Sequence, residues 1–115
     1  MVKYYLKEQE VLVLRETYLI DNYLSIKIFD INYTKEIAVV TILIKGAMSD
    51  KHKSDTAYVD IHKYPWLKEF IEENDLGYPT GNYAINDDKF YPEYRFYVNQ
   101  FTSVPKDFSR GKMYG

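Results

Sequence analysis

The sequence predicts an α+β domain: a small antiparallel sheet of four to five strands, with one helix packed across one face. Strand-like segments fill the first half of the chain, and the one clear helical stripe of apolar residues comes late, at residues 64–74. The early strand segments are joined by connections of hairpin length. We therefore expect the first three strands to form an antiparallel meander at the N-terminus.

The first two predicted strands are residues 10–21 and 23–30, which meet at the turn pair Asp21-Asn22. Residues 37–44, "IAVVTILI", are apolar on both faces and rich in β-branched side chains. Such a segment is typical of a strand that is covered on both sides. We therefore expect it at the centre of the sheet, with the helix lying over it.

The second half of the chain contains two further predicted strands and the helix. After Gly46, the polar residues 47–55 are expected to form an exposed, mobile loop. Residues 56–61 are predicted as a short strand and residues 90–98 as the last one. Between them, residues 64–74 show the spacing of an amphipathic helix. Its apolar stripe consists of Trp66, Leu67, Phe70 and Ile71.

Length and composition bound the domain organisation and the compartment. With 115 residues, 46% apolar and 28% charged, the chain is expected to form one domain over residues 1–101, followed by a polar, flexible tail at 102–115. The absence of cysteine excludes disulfides, thiolate metal sites and cysteine nucleophiles. No apolar stretch is long enough to span a membrane, so the expected location is the cytoplasm. A formal net charge of -2 gives no general attraction to nucleic acid.

The segment "DLGYPTGNYA" raises the question of a phosphate-binding loop. A P-loop has four residues between its glycines, continues with Lys and Ser or Thr, and opens a helix. Here Gly77 and Gly81 are separated by three residues, and the segment follows a helix, whose C-terminus is the negative end of the helix dipole. We interpret the segment as a helix stop, with Gly77 at or near the left-handed position after the cap and Pro79 preventing the helix from resuming.

Acidic side chains crowd the last turn of the predicted helix, where the helix dipole makes negative charge unfavourable. One interpretation is a solvated helix face, and the other is a docking surface for a basic protein partner. The tyrosines of the following segment suit the second interpretation, because Tyr is common at interface hot spots. The partner-binding residues expected on this basis are Glu69, Glu72, Glu73, Asp75, Tyr78, Asn82 and Tyr83.

Two other kinds of site are open from the sequence. The tail interleaves basic and aromatic residues, as single-strand nucleic-acid binders do. The side chains concerned are Lys106, Phe108, Arg110 and Lys112. Asp60 and His62 share the outward face of a predicted strand and could serve a small metal-assisted enzyme, although they match no tight metal-binding motif and no cofactor is expected. A Tyr-rich sheet edge also makes a homodimer a candidate.

The stretch "AYVDIHKYPWLKEFIEENDLGYPTG", followed by "YPEYRF", resembles the bacterial family named domain of unknown function 4313. The resemblance is strongest over residues 57–98, and one departure is Asp75, where the family pattern has glycine. It implies a small accessory protein of Gram-positive mobile elements and phages, with no assigned activity. From that setting we expect a non-enzymatic protein-binding protein, with inhibition of a host defence effector such as a CRISPR nuclease as one specific role.

Overall fold

A computed structural model describes residues 2–103, which contain nine β-strands, one α-helix and two short 3-10 turns. The strands are β1 (Tyr4–Leu6), β2 (Gln9–Thr17), β3 (Leu24–Asp30), β4 (Glu36–Val39), β5 (Thr41–Ile42), β6 (Thr56–Val59), β7 (Gly77–Asn86), β8 (Lys89–Phe96) and β9 (Thr102–Ser103). The helix α1 is Leu67–Glu73, and the 3-10 turns are Asp50–Lys53 and Val98–Gln100. The predicted α+β class is confirmed.

The first sheet, sheet A, contains the predicted N-terminal meander. Its strands lie in the order β1-β2-β3-β4 with antiparallel pairing throughout, and β9 adds a short parallel pairing to β2. Strand β3 shows why a meander forms: Leu24, Ile26 and Ile28 lie on one face and are buried. Successive strands joined by short turns bury this face together.

A second sheet, sheet B, was not predicted as a separate layer. Its strands lie in the order β5-β6-β8-β7, again antiparallel. The long hairpin of β7 and β8 forms one side of this sheet and ends in the two-residue turn Asp87-Asp88. Sheet B, the helix and sheet A share one core.

The segment 37–44 does not occupy the centre of a sheet, so this prediction is wrong. The chain passes from β4 to β5 at Val40 and thereby leaves sheet A for sheet B, each time as an outer strand. The N–H of Val40 donates to the carbonyl of Ile26 at 2.8 Å, and the carbonyl of Val40 accepts from the N–H of Asp60 at 2.9 Å. The residues are apolar on both faces because the segment belongs to two sheets, and Val40 itself is completely buried.

The predicted helix is confirmed, and most of its apolar stripe is buried. Leu67, Phe70 and Ile71 are buried in the core shared with both sheets, while Trp66 is half-buried against the edge of that core. Helix α1 is only two turns long, so packing of this stripe, rather than intrinsic propensity, must hold it in place.

The helix ends in a Schellman motif whose left-handed residue is Asp75 rather than Gly77. Asp75 has a φ of 52°. The N–H of Leu76 donates to the carbonyl of Ile71 at 3.0 Å, and the N–H of Asp75 donates to the carbonyl of Glu72 at 3.2 Å. Gly77 instead lies in β7, where a Cβ would stand 2.9 Å from the Cα of Phe96. The glycine is required by close strand packing.

Two further expectations about loops need correction, the second only at one residue. Residues 77–86, interpreted from sequence as a helix stop, form strand β7, with an irregular register between Pro79 and Tyr83. Residues 47–55 include a 3-10 turn, and the side chain of His52 in this turn is buried against sheet B. Most residues of both segments are exposed, but the side chains of His52, Thr80 and Asn82 are paired with Glu93.

Candidate functional site

The most elaborate polar arrangement in the described part of the chain surrounds the carboxylate of Glu93 in β8. Glu93 is 1% exposed, and so is its neighbour His52. The Nε2 of His52 lies 2.8 Å from Glu93 Oε2, and the Nζ of Lys51 lies 3.1 Å from the same oxygen. From β7, Thr80 Oγ1 donates to Glu93 Oε1 at 2.7 Å and Asn82 Nδ2 at 3.2 Å.

The hydrogen bonds define the charge state of this cluster. The backbone N–H of Ser49 donates to His52 Nδ1 at 2.9 Å, so Nδ1 carries no proton and Nε2 is the donor toward Glu93. Burial alone would raise the pKa of Glu93, but the hydrogen bonds from Thr80, His52, Asn82 and Lys51 outweigh it and lower this pKa to about 2. Glu93 is therefore an ionised carboxylate held by four donor side chains.

Ser49, His52 and Glu93 have the connectivity of a nucleophile, base and orienting acid, with Ser49 Oγ 3.3 Å from His52 Nδ1. However, the single in-plane lone pair of Nδ1 already accepts the backbone N–H of Ser49. The geometry is that of a capping box at the start of the 3-10 turn. We therefore assign the cluster a structural role: it fastens the segment 49–53 across sheet B.

The two faces of the β7–β8 hairpin have different environments, which separates the predicted partner-binding residues. Tyr78 pairs in register with Arg95, whereas Tyr83 pairs with Pro92. Arg95 and Pro92 lie on opposite faces of β8, so Tyr78 and Tyr83 also point to opposite faces. The side chain of Asn82 is turned inward to Glu93. These residues do not form one continuous surface.

Three large apolar side chains are exposed together at the turn end of the hairpin. Tyr83 is 59% exposed, Ile85 60% and Phe90 57%. They share one face, because Ile85 is the register partner of Phe90 and Tyr83 lies two residues before Ile85. The Tyr83 and Phe90 rings meet edge to face, with centroids 5.0 Å apart. We call these three residues the hairpin patch.

The predicted acidic residues at the helix end are exposed, as expected for either interpretation. Glu69, Glu72 and Glu73 on α1 and Asp75 after it have no cationic side chain within salt-bridge distance among residues 2–103. In the Asp87-Asp88 turn, next to the hairpin patch, the two carboxylates are likewise exposed and unpaired within that range. Unpaired acids thus lie before and after β7 in the chain.

The alternative sites receive no geometric support from the described residues. His62 Nε2 lies 2.8 Å from the carbonyl oxygen of Phe90, and its ring packs on Tyr91. Within the described range, no group of three or more His, Asp or Glu side chains could hold a metal ion, and Asp60 and His62 form no such group. The predicted nucleic-acid contacts at Lys106, Phe108, Arg110 and Lys112 lie outside the described residues. No described helix is long and apolar enough to cross a membrane.

Glu93, His52, Ile85 and Phe90 were not among the site residues predicted from the sequence. One signal was present for Glu93: it alternates with Tyr91 and Arg95 on one face of a strand whose other face carries Tyr94 and Phe96. A strand with bulky residues on both faces is often covered on both. The hairpin patch could be predicted only if residues 77–86 were first recognised as a strand.

Comparison with known proteins finds no family model, no curated protein and no solved structure that matches this chain. The resemblance to the domain of unknown function 4313 family therefore stays a prediction.

Proposed function

We propose that this chain is a non-enzymatic protein-binding module that contacts its partner through the end of the β7–β8 hairpin. The observation that carries the proposal is the hairpin patch of Tyr83, Ile85 and Phe90, each more than half exposed. Clustered apolar residues of this size on the surface of a small domain are characteristic of interaction sites, whereas single ones are ordinary.

The patch has the size of an anchor within a larger interface. Its two aromatic rings alone leave on the order of 200 Å² accessible. Covering this area would contribute on the order of 5 kcal/mol before the entropic cost of association is subtracted. Tyr83 and Phe90 already hold one another edge to face, so little side-chain freedom remains to be lost on binding.

The charges around the patch indicate the chemistry of the partner. Asp87 and Asp88 lie in the adjoining turn, while the acids of α1 lie before the opposite end of β7. Because these carboxylates are unpaired within the described residues, a basic surface could pair with them without first breaking an ion pair. Proteins that bind nucleic acid present such surfaces.

This chemistry agrees with the role that the family resemblance implies. A nuclease of a bacterial defence system must carry a basic channel for its nucleic acid. We therefore propose that the chain acts in the cytoplasm as an accessory protein of a mobile element, and that it inhibits such an effector by covering its basic surface. The family resemblance and the unpaired acids support the inhibitory role, and the hairpin patch supports protein binding.

The test is quantitative affinity capture from a Gram-positive bacterial lysate, followed by calorimetric titration of any enriched protein. The patch variant is Tyr83→Ser/Phe90→Ser. The matched control is Leu19→Ser/Ile20→Ser, which removes two equally apolar side chains, 102% and 66% exposed, from the β2–β3 turn.

The expected result is a partner that binds the wild type and the control alike, and binds the patch variant at least tenfold more weakly. Partner binding that survives the patch variant, or is lost equally in the control, would show that the hairpin patch is not the contact surface.

A further inference from the structure

Strand β7 is an outer strand whose second edge carries no pairing strand among the described residues. It runs for ten residues, Gly77–Asn86, without one charged side chain. Outer strands of this length are normally guarded by charged residues, because unpaired backbone groups attract other strands. Here the strand is irregular only between Pro79 and Tyr83, which leaves residues 83–86 as a regular, open edge.

The hairpin turn determines which backbone groups face this edge. Asp87 and Asp88 have φ values of 51° and 62°, as in the type I′ turn that closes two-residue hairpins. Such a turn hydrogen-bonds the residues that flank it, here Asn86 and Lys89. Bonded and non-bonded pairs then alternate along the hairpin, so Tyr83 and Ile85 direct their N–H and C=O groups away from β8.

These outward groups are unused in the fold. No backbone hydrogen bond outside the regular strand ladders involves Tyr83 or Ile85 within residues 2–103. The opposite situation holds at β1, the outer strand of sheet A. There the side chain of Asn74 accepts the N–H of Tyr5 at 2.8 Å and donates to its carbonyl at 2.9 Å, which occupies the edge.

We propose that β7 binds its partner by strand addition: an extended segment of another protein pairs with residues 83–86 and continues sheet B. This inference rests on the proposed function and specifies how binding occurs. The segment would hydrogen-bond to Tyr83 and Ile85 and place alternate side chains on the hairpin patch. The end of the segment that lies beside the turn would carry Lys or Arg, because Asp87 and Asp88 are exposed there and unpaired among the described residues.

A second copy of this chain fits the edge less well. Two copies could pair through β7, but β7 has no charged residue and so brings no cation to Asp87 and Asp88. A segment with a basic end supplies both the backbone partners and the charge complement. The occupant is therefore a different protein.

The probe is a synthetic peptide with alternating Thr and Val in its centre and two Lys at each end. A second peptide has Glu in place of Lys. Binding is followed by amide chemical shifts and by hydrogen exchange of Tyr83 and Ile85. The decisive variant is Ile85→Pro, which removes an outward N–H but no bond of the β7–β8 ladder. Its matched control, Ile85→Ala, loses the same side chain and keeps the N–H.

Strand addition predicts that the Lys-flanked peptide binds wild type and protects the Tyr83 and Ile85 amides. Ile85→Ala should weaken binding through the loss of one patch side chain, and Ile85→Pro should bind roughly tenfold more weakly than Ile85→Ala or not at all. The Glu-flanked peptide should bind wild type at least tenfold more weakly than the Lys-flanked one. Circular dichroism and thermal midpoints verify that both variants are folded.

Equal binding of the Lys-flanked peptide to Ile85→Pro and Ile85→Ala would overturn strand addition, and so would its failure to bind wild type at millimolar concentration. Neither result bears on the proposed function, which is tested separately by affinity capture with the patch variant. A wild-type dimer that Ile85→Pro converts to a monomer would identify a second copy as the occupant and overturn the assignment of a different protein.

Discussion

Replacing Glu93 by Gln should cost about 3 kcal/mol of folding free energy at neutral pH. The pKa of Glu93 is lowered from 4.5 to about 2, and each pKa unit corresponds to about 1.4 kcal/mol. The ionised carboxylate is thus favoured over its neutral form by about 3 kcal/mol. A Gln side chain is neutral. Its amide N–H group would also face two other donors, since His52 Nε2–H and Thr80 Oγ1–H both point at the carboxylate.

The same pKa dictates the pH dependence of the effect. Because the pKa of Glu93 is lower in the folded state, the unfolded chain binds the proton first as the pH falls. The stabilisation is fully present above about pH 4.5 and disappears as the pH falls toward 2. The difference between wild type and Glu93→Gln should therefore shrink over this interval.

Urea unfolding at pH 7, 5, 4 and 3, with fluorescence of Trp66 as the probe, measures both quantities. Glu69→Gln is the control, because Glu69 is exposed and has no ion pair among the described residues. It should change stability by less than about 0.5 kcal/mol. A loss below about 1 kcal/mol for Glu93→Gln at pH 7, or a loss independent of pH, would refute the reasoning.

Three further substitutions test the helix end and its acids. Asp75→Gly should raise stability by about 0.5–1 kcal/mol in urea unfolding, because φ is 52° at this position and the change removes a negative charge from the helix C-terminus; no gain would contradict the assignment of the left-handed cap. Gly77→Ala should lower stability by about 2–3 kcal/mol in the same assay, since the new Cβ would press on the Phe96 backbone. The pair Glu72→Lys/Glu73→Lys should raise stability slightly, because it replaces two negative charges at the helix C-terminus by positive ones, and should weaken binding of a captured partner about tenfold at low salt; unchanged affinity would exclude the acidic helix end from the interface.

The elements that could be predicted from sequence are those whose signal is local. Strands β2, β3 and β6 and the helix α1 follow from the spacing of apolar residues, and the structure places them near the predicted bounds. The acids of the helix end also lie exposed, as the amphipathic pattern requires. For these strands and the helix, the apolar residues that indicate the element in the sequence are also the residues that it buries in the core.

The candidate site was predictable only in part. Tyr83 was expected at the partner surface and lies in the hairpin patch, but Ile85 and Phe90 were not recognised. Asn82 was expected to face a partner and instead donates to Glu93. Alternation within one strand shows which residues share a face, but it does not show which face is covered by another part of the chain.

By itself, the sequence determined the α+β class, the antiparallel meander and the position of the helix, because these depend on periodicities of a few residues. The tertiary structure decided that the chain changes sheets at Val40, that the glycine- and proline-containing segment 77–86 is a strand, and that Glu93 is buried among its donors. Each of these depends on contacts between residues far apart in the chain. Segment 77–86 has little strand propensity of its own and is extended because β8 lies beside it, and the same pairing leaves its outer edge open.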